Sequence, residues 1–398
     1  MNTECDISDT STPRPGRSIL LAMSWYDHRV HLGISKFAKA HGWRVDARMA
    51  NSTEMAWGWK GDGVITKLGC SSLDEEIRDF VLGLGCPAID MSVFGPEEGL
   101  PAIEFDPGAI GALAAAHFIE RGFRRFVWYP GLDQPPARRR REGFIAALAD
   151  EGFGPENVTT MKPGDPGEDW EHAERELGAS LLAIGEPVGV LCFNDEWGSR
   201  VIRACERAGL RVPEDVAVMG VDDNELICEH LSVPLTSVSL DFEQWGSLAA
   251  ARLSALIESG ASAPRTSTLE LIPPRDVVTR QSTDVLAISH PDVAQAARFI
   301  AENYARNITA SDVVAQSRLS GSGLKRAFRT HLRRSISDEI QRVRYEAIRR
   351  LLTDTDWTLD RVAGDVGLGS ARNLHRLFER YTSLSPSEFR RKSGSAAV

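Results

Sequence analysis

A chain of 398 residues with 42% hydrophobic content can bury several cores, which points to two or three domains of ordinary globular type. A net charge of −10 argues, over the whole length, against a polyanion binder. Six dispersed cysteines without a C-x-x-C pair or nearby histidines indicate neither a disulfide framework nor a zinc site, so no metal and no cofactor is expected.

In chain order, residues 1–16 are polar and Pro-bearing, without the apolar core of a signal peptide, and read as a flexible segment. The run AIGALAAAHFI is too short to span a bilayer, so the expectation is a cytoplasmic protein with no membrane partner. Residues 17–284 alternate helical stretches with short apolar runs: SILLAMS, RVDARM, DGVITKL, PAIDMSV, FVWYP, VGVLCFN, VAVMGVD and LTSVSLD. Continuous apolar strands separated by helices predict an α/β fold with parallel sheets covered on both faces. The length is generous for one sheet. FIERGFRRFVWYP reads as a fresh helix-to-strand start after AIEFD, so two subdomains with a cleft between them are expected.

Ligands of open α/β sheets bind at the carboxyl ends of strands. Those ends carry Asp222 in VMGVDDNE and Asn194 and Asp195 in CFNDEWGS, while Trp25, Tyr26 and Asp27 follow the first strand. Arg140, three residues before Gly143 in RRRREGF, belongs to an adjoining helix. Each also has a plainer use: a strand-end turn for Asp222, a helix cap for Asn194 and Asp195, core packing for the aromatics, a solvated helix face for the arginines. Trp170 and Trp245 could also reach the cleft.

Around residues 279–291 the strand-like alternation stops and a helical pattern begins at Val293, Ala296, Ala297 and Ile300, so a linker is expected there. The balance of charge reverses as well: residues 285–398 carry 19 Lys+Arg against 12 Asp+Glu, a net +7, which leaves −17 on residues 1–284. A basic module on an acidic body is a feature of chains that bind phosphate polymers. Within the tail TASDVVAQSRLSGSGLKRAFRTHL repeats as TLDRVAGDVGLGSARNLHRLFERY. Val314-Ala315 matches Val362-Ala363, Leu319 matches Leu368, Leu324 matches Leu374 and Phe328 matches Phe378, with an offset drifting from 48 to 50. Each copy predicts a helix, a small-residue turn and a second helix capped by Ser320 or Ser370, with Ala315 and Ala363 letting the helices cross closely. This is a helix-turn-helix, twice. Opposite the Leu/Phe stripe the second helices present Ser322, Lys325, Arg326 and Arg329, then Arg372, Asn373, His375 and Arg376, with Ser370 at the start. Joined by the single helix SISDEIQRVRYEAIRRLL, two such helices can enter successive major grooves roughly 34 Å apart. There Arg and Asn read base edges and other basic groups hold phosphates.

Residues 293–391 resemble the AraC/XylS DNA-binding domain, through Val362-Ala363, Gly367-Leu368, Phe378 and SPSEFR in that family's order. Ser383 stands where the family usually has Gly. Through VMGVDDNE, CFNDEWGS and RRRREGF, whose Arg140 stands three residues before Gly143 as in that family, residues 17–284 resemble the sugar-binding domain of LacI/GalR regulators, which implies a type I periplasmic-binding-protein fold; Asp106 after IEF occupies a position where that family also keeps Asp. Sensor first and reader last is an unusual order, and YDHRVHLGI, RVPEDVAVMGVDDNEL and RQSTD resemble the sugar regulators that share it. The resemblance covers about Arg17 to Arg391. It implies a sugar-responsive transcriptional activator that binds promoter DNA as a homodimer and engages RNA polymerase, with xylose as the leading effector and another pentose as the alternative. A sugar-capturing receptor would share the cleft but have no use for the repeated helix-turn-helix. An enzyme is not expected: G-x-S-x-G, the P-loop, H-E-x-x-H and the Rossmann fingerprint are all absent from the sequence.

Overall fold

The computed structural model describes residues 16–50, 54–68, 73–91, 100–131, 135–162, 169–260, 268–284, 290–332, 334–382 and 384–394. The expected flexible segment up to residue 15, the middle of the expected linker at 285–289 and Ser383 lie outside them.

Two six-stranded sheets make the body. The first comprises β1 (Ser18–Met23), β2 (Arg44–Met49), β3 (Gly63–Lys67), β4 (Ala88–Asp90), β5 (Ala102–Phe105) and β11 (Leu269–Ile272), in the order β11-β5-β4-β3-β1-β2. The second comprises β6 (Arg125–Tyr129), β7 (Val158–Thr160), β8 (Val188–Cys192), β9 (Val216–Val221), β10 (Thr236–Ser239) and β12 (Asp276–Val278), in the order β12-β10-β9-β8-β6-β7. All pairings are parallel except β10 with β12, an antiparallel edge that the apolar-run pattern did not foresee. The α/β fold with two parallel-sheet subdomains is as expected from continuous strands such as β9, whose six residues are all buried.

Around the first sheet lie α1 (His28–Ala40), α2 (Asp74–Gly83) and α8 (Phe242–Glu258); around the second lie α3 (Pro107–Glu120), α4 (Pro135–Asp150), α5 (Trp170–Leu182), α6 (Asp195–Ala208) and the short α7 (Glu225–Cys228). The chain therefore crosses between lobes three times: from β5 to α3, from β10 to α8 and from β11 to β12.

Glycines let two helices of the second lobe, α3 and α4, pack closely. A Cβ at Gly143 of α4 would lie 2.5 Å from Gly108 Cα, and one at Gly111 of α3 would lie 2.3 Å from Phe144 N. Only bare backbone lets α3 and α4 approach this closely, and the contact aims the arginines one turn before Gly143 toward the cleft.

The tail is all α-helical: α9 (Pro291–Asn303), α10 (Ala310–Val314), α11 (Gly321–Leu332), α12 (Ile336–Asp354), α13 (Leu359–Asp365), α14 (Ala371–Tyr381) and α15 (Pro386–Gly394). Two cores divide it, one around Val313, Leu324, Phe328 and Ile340, the other around Ile348, Val362, Ala363, Leu374 and Phe378. Helix α12 contributes to both and ties the two helix-turn-helix units together.

The repeat register is corrected at one point. Thr309 and Thr358 are the N-caps of α10 and α13, an offset of 49. Val313 therefore answers to Val362 and Val314 to Ala363, whereas Ala315 is exposed and brings no helices together. The cap fixes which face of a one-turn helix points inward, and it outranks a match of residue letters.

Replacing Gly143 by Ala gains at most about 1 kcal/mol of helix propensity but drives a methyl into backbone that no rotamer change can clear. Thermal denaturation of Gly143→Ala is expected to show a net loss of about 1 to 3 kcal/mol, a drop in Tm of roughly 3 to 10 °C.

Candidate functional site

The strand ends of the two lobes face one another across a cleft, and charged side chains cross it. Arg29 of α1 chelates Asp27, the N-cap of its own helix, at 2.9 and 3.2 Å, and donates to the Asp222 carbonyl of the opposite lobe at 3.0 Å. Its guanidinium lies 4.0 Å from the centre of the Phe242 ring. Glu104 on β5 accepts from Arg139 of α4 at 2.9 Å, a second bridge between lobes. Burial raises the Glu104 carboxyl to about 7 in spite of Arg139 and Arg140 beside it, and its Oε2 has no hydrogen-bond partner.

Asp222 and Asp223 follow β9 in the left-handed region, at φ 104° and 49°. Non-glycine residues hold such angles only where their surroundings fix them. Burial raises the Asp222 carboxyl above the ordinary range, with Arg140, Arg29 and Lys67 opposing it. Arg140 is buried, donates to the Phe193 carbonyl and lies 4.8 Å over the Phe193 ring. Trp25 is half exposed and covers the ammonium of Lys67.

Thus Trp25, Asp27, Arg140 and Asp222 converge around the cleft. The other sequence candidates are occupied by framework duties. Asn194 caps α6 by accepting from Trp197 N at 3.1 Å, and Asp106 caps α3 by accepting from Gly108 N and Ala109 N. Asp195 is buried and accepts from Ser237 Oγ at 2.6 Å and Asn224 N at 2.7 Å, which holds the turn that carries Asp222. Tyr26 reaches His31 at 3.1 Å from an exposed position. Of the two further tryptophans, Trp245 is buried beneath the cleft with its indole on the Ile103 carbonyl, and Trp170 is exposed against Arg207. Arg29, Lys67, Glu104 and Arg139 were missed from the sequence. A lysine ending the buried strand GVITK and a glutamate inside AIEF were the available signals, because such residues are rarely buried without a partner.

On the reader, Ser322, Lys325, Arg326 and Arg329 are exposed along α11, as are Arg372, Asn373 and Arg376 on α14; His375 is half-buried. Ser370 caps α14, and the Asn373 amide donates to the Leu368 carbonyl at 2.9 Å, holding it to its own turn.

Sensor and reader are joined by more than a tether. Arg280 pairs with Asp223 at 2.9 Å, donates to the Leu235 carbonyl and contacts Glu229. Its backbone N and O are both bound by Thr236 Oγ1, which also lies 2.8 Å from Thr283 Oγ1. Thr283 then meets His117 Nε2 at 2.7 Å and accepts at its carbonyl from Arg121 Nε at 3.0 Å. His117 and Arg121 sit on the last turn and cap of α3, beneath α12, where Arg349 pairs with Asp276. A cavity of about 500 Å³ remains at this contact, lined by charged groups including Glu120, Arg342 and Glu346.

Residues 115–283 match the family described as periplasmic binding protein-like domain, and residues 313–392 match the helix-turn-helix domain. The xylose operon regulatory protein of Escherichia coli K12 is 25% identical over 379 residues, 92% of this chain and 94% of the relative. That of Haemophilus influenzae is 26% identical over 298 residues, 73% and 74% of the two chains. The solved xylose-binding transcription activator superposes with a TM-score of 0.58 at 25% identity, covering 94% of this chain and 97% of its own. This chain is similar to the xylose operon regulators across both sensor and reader, over 92% of its length in the Escherichia coli case. Its architecture is that of a transcriptional regulator, a ligand-binding α/β sensor ahead of a double helix-turn-helix reader. A LacI-family regulator from Enterococcus faecium solved with bound ribose shares the sensor fold, with a TM-score of 0.53 at 21% identity over 67% of this chain.

Burial and the neighbouring Asp222 charge raise the Asp195 carboxyl well above an ordinary aspartate. A carboxyl that keeps its proton longer folded than unfolded contributes stability fully below the unfolded pKa and loses it as the pH rises through the folded one. Wild-type stability is therefore expected to fall between pH 4 and neutrality and beyond. Urea denaturation across that range is expected to show a flatter profile for Asp195→Asn, which has no charge to bury.

Proposed function

We propose that this chain is a sugar-responsive activator of transcription: D-xylose or a related pentose enters the cleft between the two lobes, and residues 285–398 read promoter DNA. The observation that carries the reading is the chain that runs from Asp223 through its ion pair with Arg280 and then by hydrogen bonds through Thr236 and Thr283 to His117, which joins the cleft edge to the reader contact. Closure of the lobes around a sugar changes the position of the Asp222–Asp223 turn, and Arg280 carries that change into the linker. The effector then shifts the population of reader orientations because it binds one arrangement of the lobes better than the other.

In the cleft, Asp222 accepts from vicinal hydroxyls, Arg140 donates to them, Asp27 is held ready by Arg29, and Trp25 covers a C–H face of the ring. Arg372, Arg376 and Asn373 on α14 read base edges, with Ser370 and His375 beside them. Ser322, Lys325, Arg326 and Arg329 do the same from α11 or hold phosphates. Two copies of the chain bind paired half-sites as a homodimer and engage RNA polymerase there, which places the protein with the chromosome in the cytoplasm.

Asp222→Ala and Arg140→Ala are each expected to weaken xylose binding by roughly 1.5 to 3 kcal/mol in calorimetry while operator affinity without sugar stays near wild type. Arg372→Ala and Arg376→Ala are expected to do the reverse. Mobility shifts should show weaker operator binding, a shallower salt dependence where a phosphate contact is lost, and unchanged sugar affinity. Linkage sets a quantitative demand: the factor by which sugar raises operator affinity equals the factor by which operator raises sugar affinity. Titrations of each ligand with and without the other measure both. Arg280→Met is expected to bring the two factors toward unity with little change in either affinity alone.

A further inference from the structure

Lys67 ends the central strand β3, where five successive residues are buried, and its own side chain is among the largest fully buried ones. A lysine there is anomalous, because burying an ammonium is costly unless a carboxylate meets it. None does among the described residues. Its Nζ reaches one acceptor, the Trp25 carbonyl at 3.5 Å, a long contact for a group with three donors. The rest of its surroundings are ring faces: Trp25 at 3.3 Å from Nζ to ring centre, Trp245 at 5.5 Å and Phe242 at 6.0 Å. Cation–π attraction compensates part of the lost hydration but leaves the N–H groups with almost nothing to bond.

The charged groups acting on Lys67 come from both walls of the cleft: Asp27 from the loop after β1, Arg29 from α1 and Asp222 from the end of β9. Helix α8 contributes only the Phe242 and Trp245 rings. Asp27 is already committed to Arg29, so Lys67, like the Arg140 Nε, keeps donor capacity in reserve. Burial lowers its pKa to about 7, Arg29 adding to the effect and Asp27 and Asp222 opposing it.

We propose that Lys67 binds the effector directly, its ammonium donating to a hydroxyl or ring oxygen of a neutral sugar as Trp25 gives way, and that this contact fixes which hydroxyl pattern the cleft accepts. The inference rests on the reading of the cleft as a sugar site and adds a specificity-determining residue to it. A site that hydrogen-bonds a particular hydroxyl discriminates strongly against the sugar lacking it, since the buried donor is left unpaired. Only the charged amine offers all its N–H groups without an acceptor lone pair. Sugar binding therefore draws a proton onto Lys67 near neutral pH, and affinity falls as the pH rises past 7.

The test is calorimetry on the full chain with D-xylose, L-arabinose and D-ribose at pH 6 to 9, each in two buffers of different ionisation enthalpy. The tightest binder is then compared with its monodeoxy analogues. Wild type is expected to take up a fraction of a proton on binding near pH 7 and to lose affinity above it. Lys67→Met is expected to lose at least about tenfold in affinity together with that proton uptake, and no longer to distinguish the sugar from the one deoxy analogue that wild type rejects. Should Lys67→Met fail to fold by circular dichroism, wild type and Trp25→Phe remain decisive. Sugar must alter tryptophan emission in wild type and not through Trp25 in the variant, and wild-type binding without proton uptake overturns the proposal. Unchanged affinity, pH profile and deoxy-sugar discrimination in a folded Lys67→Met also overturn it while leaving the cleft reading intact. If wild type binds no sugar of the panel, the cleft reading falls and this inference falls with it.

Discussion

The stapling of Arg280 and Thr283 into the second lobe is the constraint on which the rest of the architecture turns. A linker between domains is ordinarily solvated and free, and the domains then move independently. Here residues 279–284 lie against the second lobe, with Ser282 and Thr283 fully buried between the exposed Gln281 and Asp284. Ser282 Oγ donates to the Val218 carbonyl at 2.6 Å and accepts from Thr236 N at 2.8 Å, so the linker is bonded to β9 and β10, the strands whose ends form the cleft. Buried polar groups of this kind are costly to leave unpaired. A movement of the Asp222–Asp223 turn therefore carries the linker with it.

At the reader end the same economy holds with charges. Glu339 of α12 is wholly buried; burial pushes its carboxyl up, and Arg342 and Arg334 more than reverse this, holding it ionised. Across the contact His117 is driven well below the usual histidine range by burial and by Arg121, Arg342 and Arg349, so it stays neutral and serves as a fixed hydrogen-bond partner of Thr283. Sensor and reader touch through the Arg349–Asp276 pair and the Arg124 donation to the Thr330 carbonyl, beside a cavity lined by charged groups such as Glu120 and Arg342 together with Leu113 and Val277. Such an interface can exchange one orientation for another, as the proposed coupling to the cleft requires.

The cleft shows a related division between groups that are satisfied and groups that are not. Arg29, Asn194, Asp195 and Asp106 have partners within the chain, and they fix the shape of the site. Lys67, the Arg140 Nε and the Glu104 Oε2 are buried with unused capacity. In a ligand-binding protein the second class marks where a ligand completes the hydrogen bonding.

The sequence by itself determined the elements. Apolar runs separated by helical periodicity led to two parallel sheets, and the repeated Leu/Phe spacing led to two helix-turn-helix units, because both patterns are local and each follows from the period of the backbone. It also singled out Asp222, Arg140, Trp25 and Asp27, which the fold gathers around the cleft, since strand ends and Gly-spaced arginines are visible as short motifs. Tertiary structure alone decided what those residues meet. Arg29 meets the Asp222 carbonyl 193 positions along, Arg139 meets Glu104 from the other lobe, and Thr283 meets His117 166 positions back. No local pattern encodes such pairings. The phase of the repeat, by contrast, was set locally: the caps Thr309 and Thr358 turned Val313 inward and left Ala315 in solvent, although the residue letters favoured the neighbouring register. Spacing fixes which side chains share a face, but partners across a fold are chosen by the packing that brings distant segments together.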